Sequence, residues 1–103
     1  MAKFHFTNKA VEDLTNIWNY TVDTWSEQQA DAYYEMLISS CRKVAADPVL
    51  FGREYNEIAE NLYGFKANKH IIFYRIATNE EIEIVRILHE RMDLSNKLNL
   101  QML

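Results

Sequence analysis

The sequence predicts an α+β domain in which a helix hairpin packs on one face of a small, mainly antiparallel sheet. Three observations predict it. Residues 70–93 read HIIFYRIATNEEIEIVRILHERMD, two runs of Ile, Val and aromatic residues separated by Thr78, Asn79, Glu80 and Glu81, which is the pattern of a β-hairpin. Between positions 11 and 45 apolar residues recur at three- and four-residue intervals, the period of amphipathic helices. Gly and Pro number only 2 and 1 in 103 residues, which favours long uninterrupted elements over a loop-rich fold.

The elements follow in the order β-α-α-β-β-β with a short tail. Lys3 to Phe6 alternates and reads as a first strand. Thr7 or Asn8 caps a first helix, in which Val11, Leu14, Ile17, Trp18, Val22 and Trp25 fall at helical spacing to about Thr24. Ser26 with Gln29 three residues on is a capping-box pattern. It opens a second helix whose stripe runs through Ala30, Tyr33, Tyr34, Leu37, Ile38, Cys41, Val44 and Ala45. Asp47–Pro48 stops that helix, because the residue before proline is pushed out of helical geometry. Two helices joined almost without a loop form an antiparallel hairpin.

Residues 49–61 show no sustained period and read as a loop, with Gly52 supporting a turn. Leu62 to Phe65 reads as a short strand, Gly64 marking a bulge or a close backbone approach. Ala67, Asn68 and Lys69 turn into the central hairpin. Beyond Asp93, the residues Leu94, Leu98, Met102 and Leu103 are spaced for a short C-terminal helix.

Both hairpin strands carry apolar residues on both faces. Strict alternation puts Ile71, Phe73 and Arg75 opposite Ile72, Tyr74 and Ile76, and it puts Ile82, Ile84, Arg86 and Leu88 opposite Glu83, Val85, Ile87 and His89. Near-continuous apolar strands need cover on both sides. The helix hairpin covers one, which leaves the other to the C-terminal tail, a second copy or a partner.

Length and composition bound the function. One hundred and three residues make a single domain, 1–103, with one core. One cysteine, Cys41, allows no internal disulfide or cysteine-based zinc site and sits on an apolar stripe as an inert thiol. His5, His70 and His89 lie far apart in the sequence without ligand spacing, so neither metal nor cofactor is expected. No signal-like or membrane-spanning stretch is present, and a cytoplasmic protein is the expectation. Residues 1–60 hold five basic against ten acidic residues, while residues 61–103 hold six against five. That balance argues against direct grip on a nucleic-acid backbone.

A family resemblance rests on three blocks: G-R-E-Y at Gly52–Tyr55, H-I-I-F-Y-R at His70–Arg75, and I-V-R-I-L-H-E-R-M-D at Ile84–Asp93. Together, at this spacing, they resemble the ParE branch of the RelE/ParE toxin superfamily, across essentially the whole chain. The resemblance implies a compact α+β toxin of a bacterial, often plasmid-stabilising, type II toxin–antitoxin operon. It further implies that DNA gyrase is poisoned by binding, without catalysis, and that a ParD-like antitoxin wraps and neutralises the toxin. RelE-like relatives instead cleave messenger RNA on the ribosome, and that endoribonuclease activity is the alternative. Those nucleases tend to carry an arginine on the strand corresponding to His70–Tyr74, where this chain has Ile71. An aliphatic side chain cannot stabilise a phosphate, which favours the ParE reading.

The candidate partner-binding residues are Ile71, Phe73, Arg75, Arg86, His89, Arg91 and Met92, taken as a surface. The plainer role for Arg75 and Arg86 is an exposed cross-strand ion pair with Glu81, Glu83 or Asp93. For His89 it is a structural or partner-contacting imidazole and not a general base. Trp18, Trp25, Tyr33 and Tyr34 are expected to fill the helix–sheet core.

Overall fold

The structure is a computed structural model, and it describes residues 3–78 and 81–91. The chain runs β1 (Lys3–Phe6), α1 (Asn8–Thr24), α2 (Glu27–Ala46), α3 (Pro48–Phe51), β2 (Arg53–Glu54), β3 (Tyr63–Ala67), β4 (His70–Thr78) and β5 (Glu81–His89). The strands form one sheet in the order β1-β5-β4-β3-β2. All neighbours are antiparallel except β1 and β5, which run parallel with Lys3 beside Glu81 and Phe6 beside Ile84.

Local chemistry sets the helix ends. The Thr7 hydroxyl accepts from the Ala10 amide at 3.1 Å and donates to the Val85 carbonyl at 2.9 Å. One side chain thus caps α1 and fastens it to β5. The Ser26 hydroxyl accepts from the Gln29 amide at 3.0 Å, as the capping pattern requires. Asp47 ends α2 and caps α3, accepting from the Leu50 amide at 3.3 Å. Pro48 opens that single turn at a position where a missing N–H costs nothing. The expected loop after Pro48 therefore begins as a helical turn and continues into the two-residue edge strand β2. Strand β3 lies slightly later than expected, and at Gly64 a Cβ would come within 2.6 Å of the Tyr55 ring. Asn68 takes the left-handed conformation (φ 59°) that a tight β3–β4 turn requires.

The main core lies between the hairpin and the sheet. Leu14, Leu37, Cys41 and Val44 pack on Ile72, Tyr74, Ile82, Ile84 and Ile87. The partnership of Ile87 with Ile82 and Ile84 departs from strict alternation. Phe73 stands opposite Arg86 but Tyr74 opposite Ile84, so Val85 is an extra residue in β5. Val85 stays on the face opposite Ile82 and Ile84, and beyond the bulge the alternation is reversed, bringing Ile87 to the helix side and Leu88 to the other face beside Val85.

The second face carries Ile71, Phe73, Val85 and Leu88, and it is not left to a partner. Residues 55–62 fold back across it, packing Tyr55, Ile58, Ala59 and Leu62 against those side chains. The Tyr55 amide donates to the Leu62 carbonyl at 2.8 Å and closes the segment. Tyr55, Ile58, Ala59 and Leu62 are spaced i, i+3, i+4, i+7, a stripe short enough to be overlooked in a segment rich in polar residues. The expected tail helix lies outside the described residues. Of the four aromatic residues expected in the core, the half-buried Tyr33 packs against it, whereas Trp25 is 70% and Tyr34 40% exposed and Trp18 is half-buried outside that cluster. Trp18 and Tyr34 instead line a groove between α1 and α2.

Candidate functional site

The proposed surface residues separate into three environments. Ile71 and Phe73 are buried under residues 55–62, with Phe73 edge-to-face against Tyr55. Their apolar area is already covered within the chain. Met92 lies outside the described residues. Arg91 is exposed, and Arg75 and His89 are half-buried.

Arg86 is neither exposed nor paired across strands. Its Nε donates to Asp13 Oδ2 at 2.8 Å and its Nη2 to Oδ1 at 3.0 Å, a bidentate pair with both side chains about nine-tenths buried. Asp13 Oδ2 also accepts from the Ile87 amide at 3.0 Å. The geometry follows from the sheet. Strand β1 covers the outer edge of β5 only as far as Ile84. Beyond it the Thr7 hydroxyl satisfies Val85 and the Asp13 carboxylate satisfies Ile87. The hydrogen bond from Arg86 to Asp13 holds the guanidinium pKa above its ordinary value. Glu81 and Glu83, the other expected partners, face His5 of β1 at 3.0 and 3.5 Å.

His89 belongs to a different place, a cleft of about 680 Å3 at the end of the sheet. Tyr20 comes to it from α1, Trp25 from the junction just after that helix, Tyr33 from α2, Lys69 from the β3–β4 turn, and His70 and His89 from β4 and β5. The two histidines, remote in sequence, are cross-strand partners with ring centroids 5.3 Å apart. The Tyr33 hydroxyl lies 2.6 Å from His70 Nδ1 and receives the Lys69 amide at 3.4 Å. Burial pushes the His70 imidazole down to about 4, helped by its His89 neighbour. Burial also pushes the Tyr33 phenol up. At neutral pH the phenol therefore donates to a neutral imidazole whose own proton sits on Nε2. His89 Nδ1 accepts from the Arg91 amide at 3.1 Å, which puts its N–H on Nε2 as well.

Both shifts lead away from neutrality, so the Tyr33–His70 pair is poorly matched to acid–base catalysis near pH 7. Its chemistry is hydrogen-bond donation beside aromatic surface. Among the described residues no group of three or more His, Cys, Asp or Glu side chains is arranged to hold a metal. The Cys41 thiol is buried and pushed up to about 12, which leaves it unreactive.

Three residues of these sites escaped the sequence reading. Asp13 sits between Ala10, Leu14 and Ile17 on the buried stripe of α1, and a carboxylate there is a signal in itself. Tyr33 packs against the core but turns its hydroxyl to His70, which the helical stripe does not reveal, and His70 carries no local pattern to join it to His89.

Among known proteins, the family model described as the ParE toxin of the type II toxin–antitoxin system parDE matches residues 4–94. Toxin ParE1 of Mycobacterium tuberculosis is 33% identical over 97 residues, covering 94% of this chain and 98% of that protein. Among solved structures, the chromosomal ParDE system of P. aeruginosa superposes with a TM-score of 0.72 at 18% identity, covering 86% of this chain and 95% of that one. The toxin–antitoxin complex RelBE2 of M. tuberculosis gives 0.61 at 17% identity, covering 86% and 98%. These two likenesses speak for the fold, and the α+β architecture expected from sequence is theirs. The sequence match along almost the whole chain carries the assignment: the protein belongs to the ParE family of toxins of type II toxin–antitoxin systems.

Proposed function

We propose that the protein arrests bacterial cells by binding and poisoning DNA gyrase in the cytoplasm, with no catalysis of its own, and that a ParD-like antitoxin neutralises it. The observation that carries this reading is the environment of Ile71 and Arg86. A ribosome-dependent nuclease needs cations free to meet a scissile phosphate. Where RelE-like nucleases tend to carry arginine this chain has Ile71, buried under residues 55–62, and the Arg86 charge is spent on Asp13. Solvent-exposed apolar side chains support a protein partner. Val49, Leu50 and Phe51 stand together on α3, and Val11 and Tyr34 flank a groove of about 510 Å3 between α1 and α2. Either surface suits the apolar face of an antitoxin helix.

The fold likeness to RelBE2 keeps a nuclease as the second reading, because one fold hosts both activities. Induced expression with DNA and protein synthesis followed over the first minutes separates the two. Early loss of DNA synthesis, with purified protein trapping gyrase on cleaved DNA, is the expected result. Early loss of translation with messages cut inside codons would transfer the chain to the nuclease branch.

A further inference from the structure

The cleft between the helix hairpin and the β3–β4 turn is used by nothing in the reading above, and its chemistry is specific. Its volume, about 680 Å3, falls within the roughly 300–1,000 Å3 of small-molecule sites. The protein as a whole carries a net charge of −4, yet no carboxylate lines this cleft among the described residues. The charged group in the wall is Lys69, and Glu90 beyond it is engaged by Lys66 at 2.9 Å.

The polar groups in the wall are mainly donors. Tyr33 and the Arg91 amide occupy the Nδ1 atoms of His70 and His89. Each ring is left with an Nε2–H that has no acceptor among the described residues. Asn16, Gln29 and Asn68 add carboxamides, which can donate and accept together. Tyr20 and Trp25 are 67% and 70% exposed on the same wall. Such large rings are normally turned inward, and at a cleft mouth they offer flat faces for stacking.

We propose that this cleft binds a single nucleotide, a ring-bearing monoanion or dianion, with its phosphate on Lys69 and the histidine Nε2–H groups. The base stacks on Trp25 or Tyr20, and the carboxamides meet its hydrogen-bonding edge. A nucleic-acid chain is not the ligand, because the cleft wall offers one lysine and no track of cations to meet successive phosphates. The site is independent of the gyrase reading and stands or falls without it.

The test is fluorescence titration of the full chain carrying Trp18→Phe, which leaves Trp25 as the indole reporter. AMP and GMP are titrated to about 5 mM, with adenosine, ribose 5-phosphate and inorganic phosphate as partial ligands. The expected result is saturable quenching with a midpoint below about 1 mM. Each partial ligand should bind at least about tenfold more weakly. Lys69→Ala and His89→Ala should each weaken AMP about tenfold or more while the urea midpoint stays near that of the parent. If a variant unfolds, Lys69→Gln and His89→Gln make the same comparison with less loss of packing. Absence of saturation would overturn the proposal, as would equal binding by the variants. Tighter binding of a short Trp- and Asp-containing peptide than of either nucleotide would also overturn it, and would make the cleft a contact for an acidic protein segment.

Discussion

Asp13 and Arg86 are 73 positions apart and meet through two parallel hydrogen bonds of 2.8 and 3.0 Å, while the same carboxylate holds the Ile87 amide at 3.0 Å. One side chain from α1 thus neutralises a buried cation and finishes the strand edge that β1 leaves open. Asp13→Ala removes both partners at once. It is expected to destabilise the protein by about 3–5 kcal/mol, read as a lower urea midpoint. Combining Asp13→Leu with Arg86→Met should recover part of that loss, because the stranded charge is gone. The Ile87 amide remains unsatisfied and should keep about 1–3 kcal/mol of the cost. Full recovery would mean that the amide finds water.

Gly52 is needed for space and not for an unusual backbone angle. Its φ is −92°, but an added Cβ would stand 1.9 Å from the Tyr74 hydroxyl. That hydroxyl donates to the Pro48 carbonyl at 2.5 Å and pins α3 to the sheet. Gly52→Ala is expected to cost about 1–3 kcal/mol through overpacking. Tyr74→Phe alone should cost about 1 kcal/mol, and in the Gly52→Ala background it should cost less. Thermal unfolding of the four proteins makes the comparison.

The cover over the second sheet face is part of the core and not a loose loop. Leu62 is fully buried, as is Leu37 on the opposite face. Leu62→Ala should therefore destabilise by about 2–5 kcal/mol, in the range expected of Leu37→Ala. Leu50→Ala, at a position 71% exposed, should change stability by less than about 0.5 kcal/mol. If it instead weakens antitoxin binding, α3 lies in that interface.

Stability should fall with acidification through His70. The folded imidazole titrates at about 4, below its ordinary 6.5. Below pH 6.5 the unfolded chain takes a proton that the folded chain refuses. The contribution is therefore fully present above about 6.5 and is lost as pH falls toward about 4. Discounted for partial exposure, the loss should be about 1–3 kcal/mol. Urea midpoints across that window should slope upward with pH for the parent and less steeply for His70→Asn.

The parts of this fold legible in the sequence are those with a long local period or a paired cap. The two helices carried seventeen and twenty residues of amphipathic pattern, with Thr7 and Ser26 at their starts, and the β4–β5 hairpin announced itself by composition. What stayed hidden depends on distance or on a single inserted residue. The parallel pairing of β1 with β5 leaves no local trace. One bulge at Val85 exchanged the faces of Ile87 and Leu88, which no alternation rule anticipates. The site was harder still. Arg86 looked like a surface cation because Asp13, its partner, comes from another element, and Ile71 and Phe73 looked open because their cover was read as a loop.

The parallel pairing of the first strand with the last has a consequence for synthesis. Residues 3–6 have no strand to join until residues 81–84 exist, so the sheet cannot close while the chain is still being made. The helix hairpin, built from local contacts, can form early, but Phe4 and Phe6 must wait for a strand some 78 positions later in the chain, since Phe4 pairs with Ile82 and Phe6 with Ile84. A chain cut short before β5 is then not a weaker version of the protein. It is an open sheet with an unpaired edge, a substrate for proteases, and synthesis through β5 becomes the step that licenses the fold.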